Sequence, residues 1–208
     1  MIHNTTSRPV VRCMIPQDIE AVVHLHVQAF PKFFLTSMGK PFLRLLYMGF
    51  ITQPNGLFLV AENAGTVIGF AVGTADPSGF FRRLLRRQGF RFACAATSGL
   101  LRYPLLATRK CLGALFYRGE TPNGIPDAAL LSSLAVSPST QSKGIGQALV
   151  RAFADEARKC GCQSVYLTTD EANNEKANRF YAKCGFQLLD TFNRSGNRVM
   201  NRWTMRLT

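Results

Sequence analysis

The sequence predicts a single α/β or α+β domain in which strands alternate with amphipathic helices and one basic helical insertion interrupts the order. The chain has 208 residues, the usual size of one domain. Apolar residues make up 47% of it, which supplies a large core and excludes intrinsic disorder. The apolar patterns follow the order β-α-α-β-β, insertion, β-α-β-α-β-β. We therefore treat residues 1–208 as one domain, with the insertion at about 77–126.

The elements before the insertion are bounded by clear start and stop residues. Pro16 introduces the first helix, whose first turn carries Asp18 and Glu20, and Pro31 ends it. Two β-rich runs joined at residues 62–66 predict a hairpin. The predicted strands are 10–14, 57–61 and 67–73, and the predicted helices are 16–30 and 39–50.

The insertion alternates apolar and arginine pairs from Phe80 to Arg87, which predicts a helix with a cationic face. A second apolar piece is interrupted by Gly99 and Pro104, so we expect several short helices here. The formal net charge of +13 comes from this region and the C-terminus. Nine basic residues lie in 77–119 and four in 191–208, with no acidic residue in either segment. Such segments favour anionic partners.

The elements after the insertion include a nearly continuous apolar strand, interrupted by Ser132 and Ser133, as expected at the centre of a sheet. We expect both hydroxyls to be buried and hydrogen-bonded rather than to line an acceptor site. Gly161 ends the next helix, and Asn173 or Asn174 caps the last one. The predicted strands are 129–136, 163–169, 186–192 and 199–207, and the helices are 146–160 and 174–184.

The loop between strand 129–136 and helix 146–160 carries the most information about function. Gly144 and Gly146 let the backbone approach a ligand, so that free N–H groups of the first helical turn point at an anion, and Lys143 adds a positive charge. This setting suits a pyrophosphate. A Walker loop is excluded because Lys143 precedes Gly144. A dinucleotide-binding fingerprint remains an alternative, with Leu149 in place of its third glycine and Asp170 after the next strand.

The spacing Gln141-x-x-Gly144-x-Gly146 resembles the pyrophosphate-binding motif of the GNAT superfamily of N-acetyltransferases. Residues further along are similar to the family's N-x-x-A-x-x-x-Y-x-x-x-G-F motif. The elements before the insertion are also similar to the family's N-terminal half, so that the resemblance covers most of the chain except 77–126. The residues in place in the second motif are Asn174, Ala177, Tyr181, Gly185 and Phe186.

The resemblance implies a mixed, mostly antiparallel sheet flanked by helices, and transfer of an acetyl group from acetyl-CoA to a primary amine by direct attack on the thioester, without a metal. It implies that Tyr181 protonates the leaving thiolate, which suits a phenol because it is neutral at pH 7. Cofactor binding is implied for the backbone of Leu134, Ala135 and Val136, for Gln141, Ser142, Lys143, Gly144, Ile145, Gly146 and Gln147, and for Asn174 and Tyr181.

The sequence departs from the family pattern at the general base. Several relatives carry a glutamate twelve residues before the tyrosine, where this chain has Thr169, which cannot act as a base. Asp127, Asp170 and Glu171 are near in sequence, but nothing in the sequence places them at the amine. We assign no base, since water or an amine that arrives neutral would also serve.

The acceptor is expected to be an amine of a small molecule or peptide, anionic acceptors included. Three interpretations of the insertion stay open: a wall of the acceptor site, a helix over 80–91 on an acidic membrane or nucleic acid, or a solvated face over a packed apolar stripe. The sequence favours the last and does not favour membrane or nucleic-acid contact. A non-enzymatic basic interaction module remains an alternative to the enzyme. The oligomeric state is left open, with a dimer as one option.

A cytoplasmic location is expected, because the first residues lack the pattern of a signal peptide and no apolar run reaches the length of a membrane span. The six cysteines are predicted to be small buried thiols in a reducing compartment. Cys160-Gly-Cys162 without clustered histidines is a poor zinc site. His24 and His26 face different ways on a helix and are assigned structural roles.

Overall fold

The computed structural model describes residues 8–102, 125, 127–141, 144–194 and 198–208. Seven strands of this part form one sheet in the order β1-β2-β3-β4-β5-β7-β6. All neighbouring strands are antiparallel except β4 and β5, which are parallel, so the predicted mixed and mostly antiparallel sheet is confirmed. The strands are β1 (Val10–Cys13), β2 (Gly56–Asn63), β3 (Thr66–Thr74), β4 (Ala128–Val136), β5 (Ser164–Asp170), β6 (Gln187–Arg194) and β7 (Arg198–Arg206).

Helices cover both faces of the sheet. On one face, alternate residues of β2 such as Leu57 and Leu59 pack with Leu149 and Phe153. On the other face, Val60 packs with the helices of the N-terminal half and with the first helix of the insertion. The helices are α1 (Ile19–Ala29), α2 (Phe34–Ser37), α3 (Lys40–Thr52), α4 (Pro77–Arg102), α5 (Ile145–Lys159) and α6 (Glu175–Lys183). Every strand and helix predicted outside the insertion is present, whereas α2 was not predicted.

The first part of the insertion is one continuous helix rather than several short ones. The helix α4 continues through Gly99, so the predicted break there was wrong, while Pro104 lies outside the described residues. The rings of Phe80 and Phe50 stack at 4.8 Å, and Leu84 is buried. A glycine costs a helix about 1 kcal/mol, whereas burial of each large apolar side chain contributes roughly 1.5–3 kcal/mol. Packing against α3 therefore stabilises the first turns of α4, and a single glycine further along does not end the helix.

The cysteines are less buried than predicted. Five of the six lie among the described residues. Cys162 is buried and Cys184 is half-buried, but Cys13, Cys94 and Cys160 are exposed, and Cys111 lies outside the described residues. Over the described part of the chain, no group of three His, Cys, Asp or Glu side chains is arranged to hold a metal ion. None of the helices described above has the length and hydropathy that crossing a bilayer requires.

A buried polar chain connects α1 and α3 to β4. His26 Nδ1 lies 2.6 Å from the Tyr47 hydroxyl, and Ser133 hydrogen-bonds with Tyr47 from β4. Burial lowers the pKa of His26 to about 4 and raises the pKa of Tyr47 above its ordinary value. The imidazole is therefore neutral at pH 7 and part of the core, whereas His24 is exposed.

We expect the free energy of unfolding to fall as the pH falls from 6.5 to 4. His26 is protonated near pH 6.5 in the unfolded chain but only near pH 4 in the folded chain. The contribution of the neutral imidazole to the free energy of unfolding is therefore fully present above pH 6.5 and is lost as the pH falls towards 4. At 1.36 kcal/mol per pKa unit, the loss is on the order of 3 kcal/mol. Urea unfolding at several pH values measures it. His26→Gln should lose less over the same range, and equal losses in both proteins would contradict the assignment.

Candidate active site

The strands β4 and β5 pair only at their N-terminal ends and then separate. Their parallel register covers residues 128–130 against 164–166. Beyond it, β4 stays paired with β3 and β5 stays paired with β7. A bulge leaves Ser132 without a partner on β3, at the point where the two strands part. A wedge that is open on one side therefore lies between β4 and β5, and Ser132 is exposed there, contrary to the prediction that it is buried.

Backbone polar groups of β4 face this wedge. The Ser137 N–H donates to the Ile68 carbonyl oxygen at 2.8 Å, which sets the alternation of hydrogen bonds along the pair β3–β4. By this alternation, the N–H and C=O of Ala135 point to β3, and those of Leu134 and Val136 point to the wedge. The cofactor contacts predicted for Leu134, Ala135 and Val136 remain predictions: the backbone groups of Leu134 and Val136 face the wedge, whereas those of Ala135 are bonded to β3.

The loop after β4 leads into the N-terminus of α5 through a left-handed residue. Gly144 has a φ of 78°, and a Cβ there would meet nothing within 4 Å. The first helical hydrogen bond runs from the Ala148 N–H to the Gly144 carbonyl oxygen at 3.0 Å. The N–H groups of Ile145, Gly146 and Gln147 precede it and are free for an anion at the positive end of the helix dipole. Ser142 and Lys143 lie outside the described residues.

The helix α6 packs against this loop at two points. Lys176 Nζ donates to Gln141 Oε1 at 2.9 Å, and Gln141 Nε2 lies 3.5 Å from the Val136 carbonyl oxygen. A Cβ on Gly146 would come within 3.0 Å of the Phe180 ring, so the absent side chain permits this close approach. Lys176 brings a positive charge to the loop. It was not identified from the sequence, although its place in the first turn of a helix just after Asn174 was a signal.

The remaining predicted residues of α6 also lie on this side. Asn174 is the N-cap of the helix and is half-buried, and its side chain makes no capping hydrogen bond. The half-buried Tyr181 ring lies 5.1 Å from that of Phe180 and 5.7 Å from that of Phe186, and its hydroxyl bonds no other described residue. Burial raises the pKa of Tyr181 above its ordinary value, and the nearby Cys184 raises it further. The phenol is therefore a proton donor at neutral pH.

A hydrogen-bond network is centred on Thr169, the residue that the sequence comparison excluded as a base. Trp203 Nε1 donates to Thr169 Oγ1 at 2.9 Å, and Thr169 Oγ1 donates to Asn178 Oδ1 at 2.6 Å. Asn178 Nδ2 then donates to the Asp170 carbonyl oxygen at 3.3 Å. The Thr169 hydroxyl is thus fully used in joining β5 and β7 to α6. Asn178 was not identified from the sequence as a site residue.

Three acidic residues lie near this network in sequence. The Asp170 carboxylate accepts from the Arg198 guanidinium at 2.6 to 2.9 Å. Glu171 is exposed, and its N–H donates to the Val199 carbonyl oxygen. Asp127 precedes β4, at the end where β4 and β5 are paired. The Asp170 carboxylate is therefore held in an ion pair, and Asp127 lies at the end of the strands opposite the wedge, whereas Glu171 follows the end of β5 that borders the wedge.

We expect Thr169→Val to lower the free energy of unfolding by about 1–3 kcal/mol, because it leaves the buried Trp203 Nε1 without its acceptor and the half-buried Asn178 Oδ1 without its donor. Valine has nearly the same shape, so that the missing hydroxyl is the main change. Thr169→Ser keeps the hydroxyl and should lose clearly less. Urea unfolding of the three proteins measures the difference. A valine variant as stable as the serine variant would show that the network contributes nothing.

Comparisons with known proteins agree with this geometry. An N-acetyltransferase from Staphylococcus aureus has a TM-score of 0.62 at 17% identity, covering 97% of this chain and 100% of that one. The acetyltransferase yncA from Salmonella typhimurium, solved with acetyl-CoA, has a TM-score of 0.62 at 16% identity, covering 96% and 94%. A ribosomal-protein-alanine N-acetyltransferase from Brucella melitensis has a TM-score of 0.61 at 16% identity, covering 95% and 99%. These three share the fold with this chain.

The family comparison covers most of the chain. Residues 19–186 match the model of the acetyltransferase (GNAT) family, whose members use acetyl-CoA as the acetyl donor. The match includes the wedge, the Gly-rich loop and α6. The chain therefore belongs to the GNAT family of acetyltransferases.

Proposed function

We propose that the chain transfers the acetyl group of acetyl-CoA to a primary amine, by direct attack of the amine on the thioester. The observation that carries the proposal is the wedge between β4 and β5, because it opens directly onto the loop and the N-terminus of α5. The pantetheine arm contains amides that suit the backbone groups of Leu134 and Val136 that face the wedge, although the Val136 carbonyl oxygen also lies 3.5 Å from Gln141 Nε2. The pyrophosphate suits the free N–H groups at 145–147 and the charge of Lys176.

The reaction needs an oxyanion donor and a proton for the leaving group. The amine attacks the thioester carbonyl carbon, and a backbone N–H of β4 that faces the wedge stabilises the oxyanion. The carbon–sulfur bond then breaks, and the Tyr181 phenol protonates the thiolate. The raised pKa of Tyr181 keeps the phenol protonated before this step. We assign no base: the proton of the amine passes to water, or the amine arrives already neutral.

The dinucleotide-binding alternative is less well supported. Leu149 stands in place of the third glycine of the fingerprint, which would let the helix backbone approach the strand closely. Its side chain is fully buried in the core with residues of β2 and β3 and prevents such an approach. Asp170, the candidate ribose ligand, is bound by Arg198. A dinucleotide fold is mostly parallel, whereas this sheet has one parallel pair.

We expect acetyl-CoA to raise the melting temperature of the protein, whereas NAD and NADP should not. Stabilisation by NAD rather than acetyl-CoA would reject the transferase.

Lys176→Gln should weaken acetyl-CoA binding by about fivefold, because it removes one positive charge beside the pyrophosphate. Lys183→Gln removes the same charge at the far end of α6 and serves as the matched control. Calorimetric titration at two salt concentrations measures both. Equal affinities of the two variants for acetyl-CoA would reject the role of Lys176.

Tyr181→Phe should lower kcat by about 100-fold and leave the Kd for acetyl-CoA within a factor of two, because it removes the acid and keeps the ring. The assay follows acetyl-CoA consumption with a panel of amino sugars, polyamines, amino acids and peptide N-termini. The variant is then measured with the best acceptor. A variant with unchanged kcat would show that Tyr181 packs beside Phe180 and Phe186 and does nothing else.

A further inference from the structure

The outward side of α4 is a concentrated positive surface that the acetyl-transfer site does not use. Its first turns lie away from the wedge, because Phe81 packs with Ala128, Leu130 and Tyr166 at the paired end of β4 and β5. Within the described part of the chain, Arg83 is the residue of this stretch that forms an ion pair, with Asp76. We call the exposed surface the α4 basic face; it consists of Arg82, Arg86, Arg87, Phe90 and Arg91.

The arginines of the C-terminal basic segment differ from those of the α4 basic face, because two of them form ion pairs. Arg198 is held by Asp170 and Arg202 by Asp190, so acidic residues from neighbouring strands neutralise both. No described residue pairs with the arginines of the α4 basic face in this way. Four arginines without an acidic partner among the described residues therefore lie together on one surface of α4.

Phe90 distinguishes this surface from an ordinary solvated helix face. Its side chain is 82% exposed, the largest exposed fraction among the described large apolar residues. Arg86 and Arg87 precede it by one helical turn, and Arg91 follows it directly, so that the ring stands among guanidinium groups. The buried stripe of Phe80, Leu84 and Phe92 already packs α4 onto α3, so that Phe90 is not needed for folding.

An apolar groove adjoins Phe90. It has a volume of about 420 Å³ and lies between α3 and α4, where Pro41, Leu45, Phe90 and Ala95 line it and Arg44 and Arg91 flank it. A second cavity of about 580 Å³ shares Arg44, Leu45 and Arg91 with the groove, but it is more polar, since Glu20 and Gln53 also line it and Glu20 pairs with Arg44. The apolar groove beside Phe90 and Arg91 therefore matches a ligand with a hydrocarbon chain and an anionic head.

We propose that the α4 basic face binds the surface of a bilayer that contains acidic phospholipids. The arginines would contact the phosphates, and Phe90 would enter the boundary between headgroups and acyl chains, which is how cationic amphipathic helices bind membranes. A polyanion such as nucleic acid would be attracted by the arginines, but it gives no reason for an exposed phenylalanine beside an apolar groove. This goes beyond acetyl transfer and does not depend on it.

The test uses the full chain and vesicles of phosphatidylcholine with or without 30% phosphatidylglycerol. We expect co-sedimentation with the acidic vesicles at low salt, weaker binding at high salt, and none with the neutral vesicles. Neutralising Arg86, Arg87 and Arg91 together to Gln should weaken binding roughly 100-fold. The matched control neutralises the exposed Arg8, Arg151 and Arg206 and should bind within a few-fold of the wild type. Thermal unfolding verifies that each variant is folded.

A second variant separates a membrane from other anions. The chain has one tryptophan, Trp203, which is buried, so Phe90→Trp adds a reporter on the surface. The emission of this variant should shift to the blue with acidic vesicles and be quenched by brominated lipids. Three results would each overturn the proposal. They are no co-sedimentation with acidic vesicles, an equal loss of vesicle binding in the two triple variants, and an indole emission of the Phe90→Trp variant that lipids do not change. If an oligonucleotide displaced the protein from acidic vesicles, and brominated lipids did not quench the Phe90→Trp variant, the surface would be a nucleic-acid site instead.

Discussion

The separation of β4 from β5 is the constraint on which the rest of the site depends. Two parallel strands that stayed paired would satisfy each other's backbone groups and leave no polar edge inside the sheet. Here the register ends at Leu130, and the bulge at Ser132 turns β4 away while β3 still holds it. The N–H and C=O groups of Leu134 and Val136 are left facing a wedge. A ligand with amide groups satisfies these groups and becomes aligned with the Gly-rich loop.

The position of α6 determines what chemistry can occur beside this wedge. The hydrogen bonds from Trp203 to Thr169 and from Thr169 to Asn178 attach the helix to β5 and β7. The contact of Phe180 with Gly146 attaches it to α5. Thr169 thus acts as a structural anchor between β5, β7 and α6. Because Tyr181 lies on the anchored helix, its phenol is held by packing rather than by a hydrogen bond.

Much of the fold and part of the site were predictable from the sequence, because they depend on local patterns. Apolar periodicity defined the strands and helices, and Gly144 and Gly146 indicated the glycine turn that leads into α5. Contacts between distant segments were not predictable. The pairing register distinguishes Leu134 and Val136 from Ala135, and only the packing of α6 brings Lys176 to the loop. Glycine propensity predicted a break at Gly99, whereas α4 continues through it.

We propose above all that acetyl-CoA binds in the wedge through the backbone of β4 and the first turn of α5. Amide hydrogen exchange, resolved by residue and compared with and without acetyl-CoA, tests this binding mode most directly. We expect slower exchange at Leu134, Val136 and the N–H groups of 145–147, with no change at Ala135, which is already bonded to β3. Unchanged exchange at Leu134 and Val136 in the presence of saturating acetyl-CoA would contradict it.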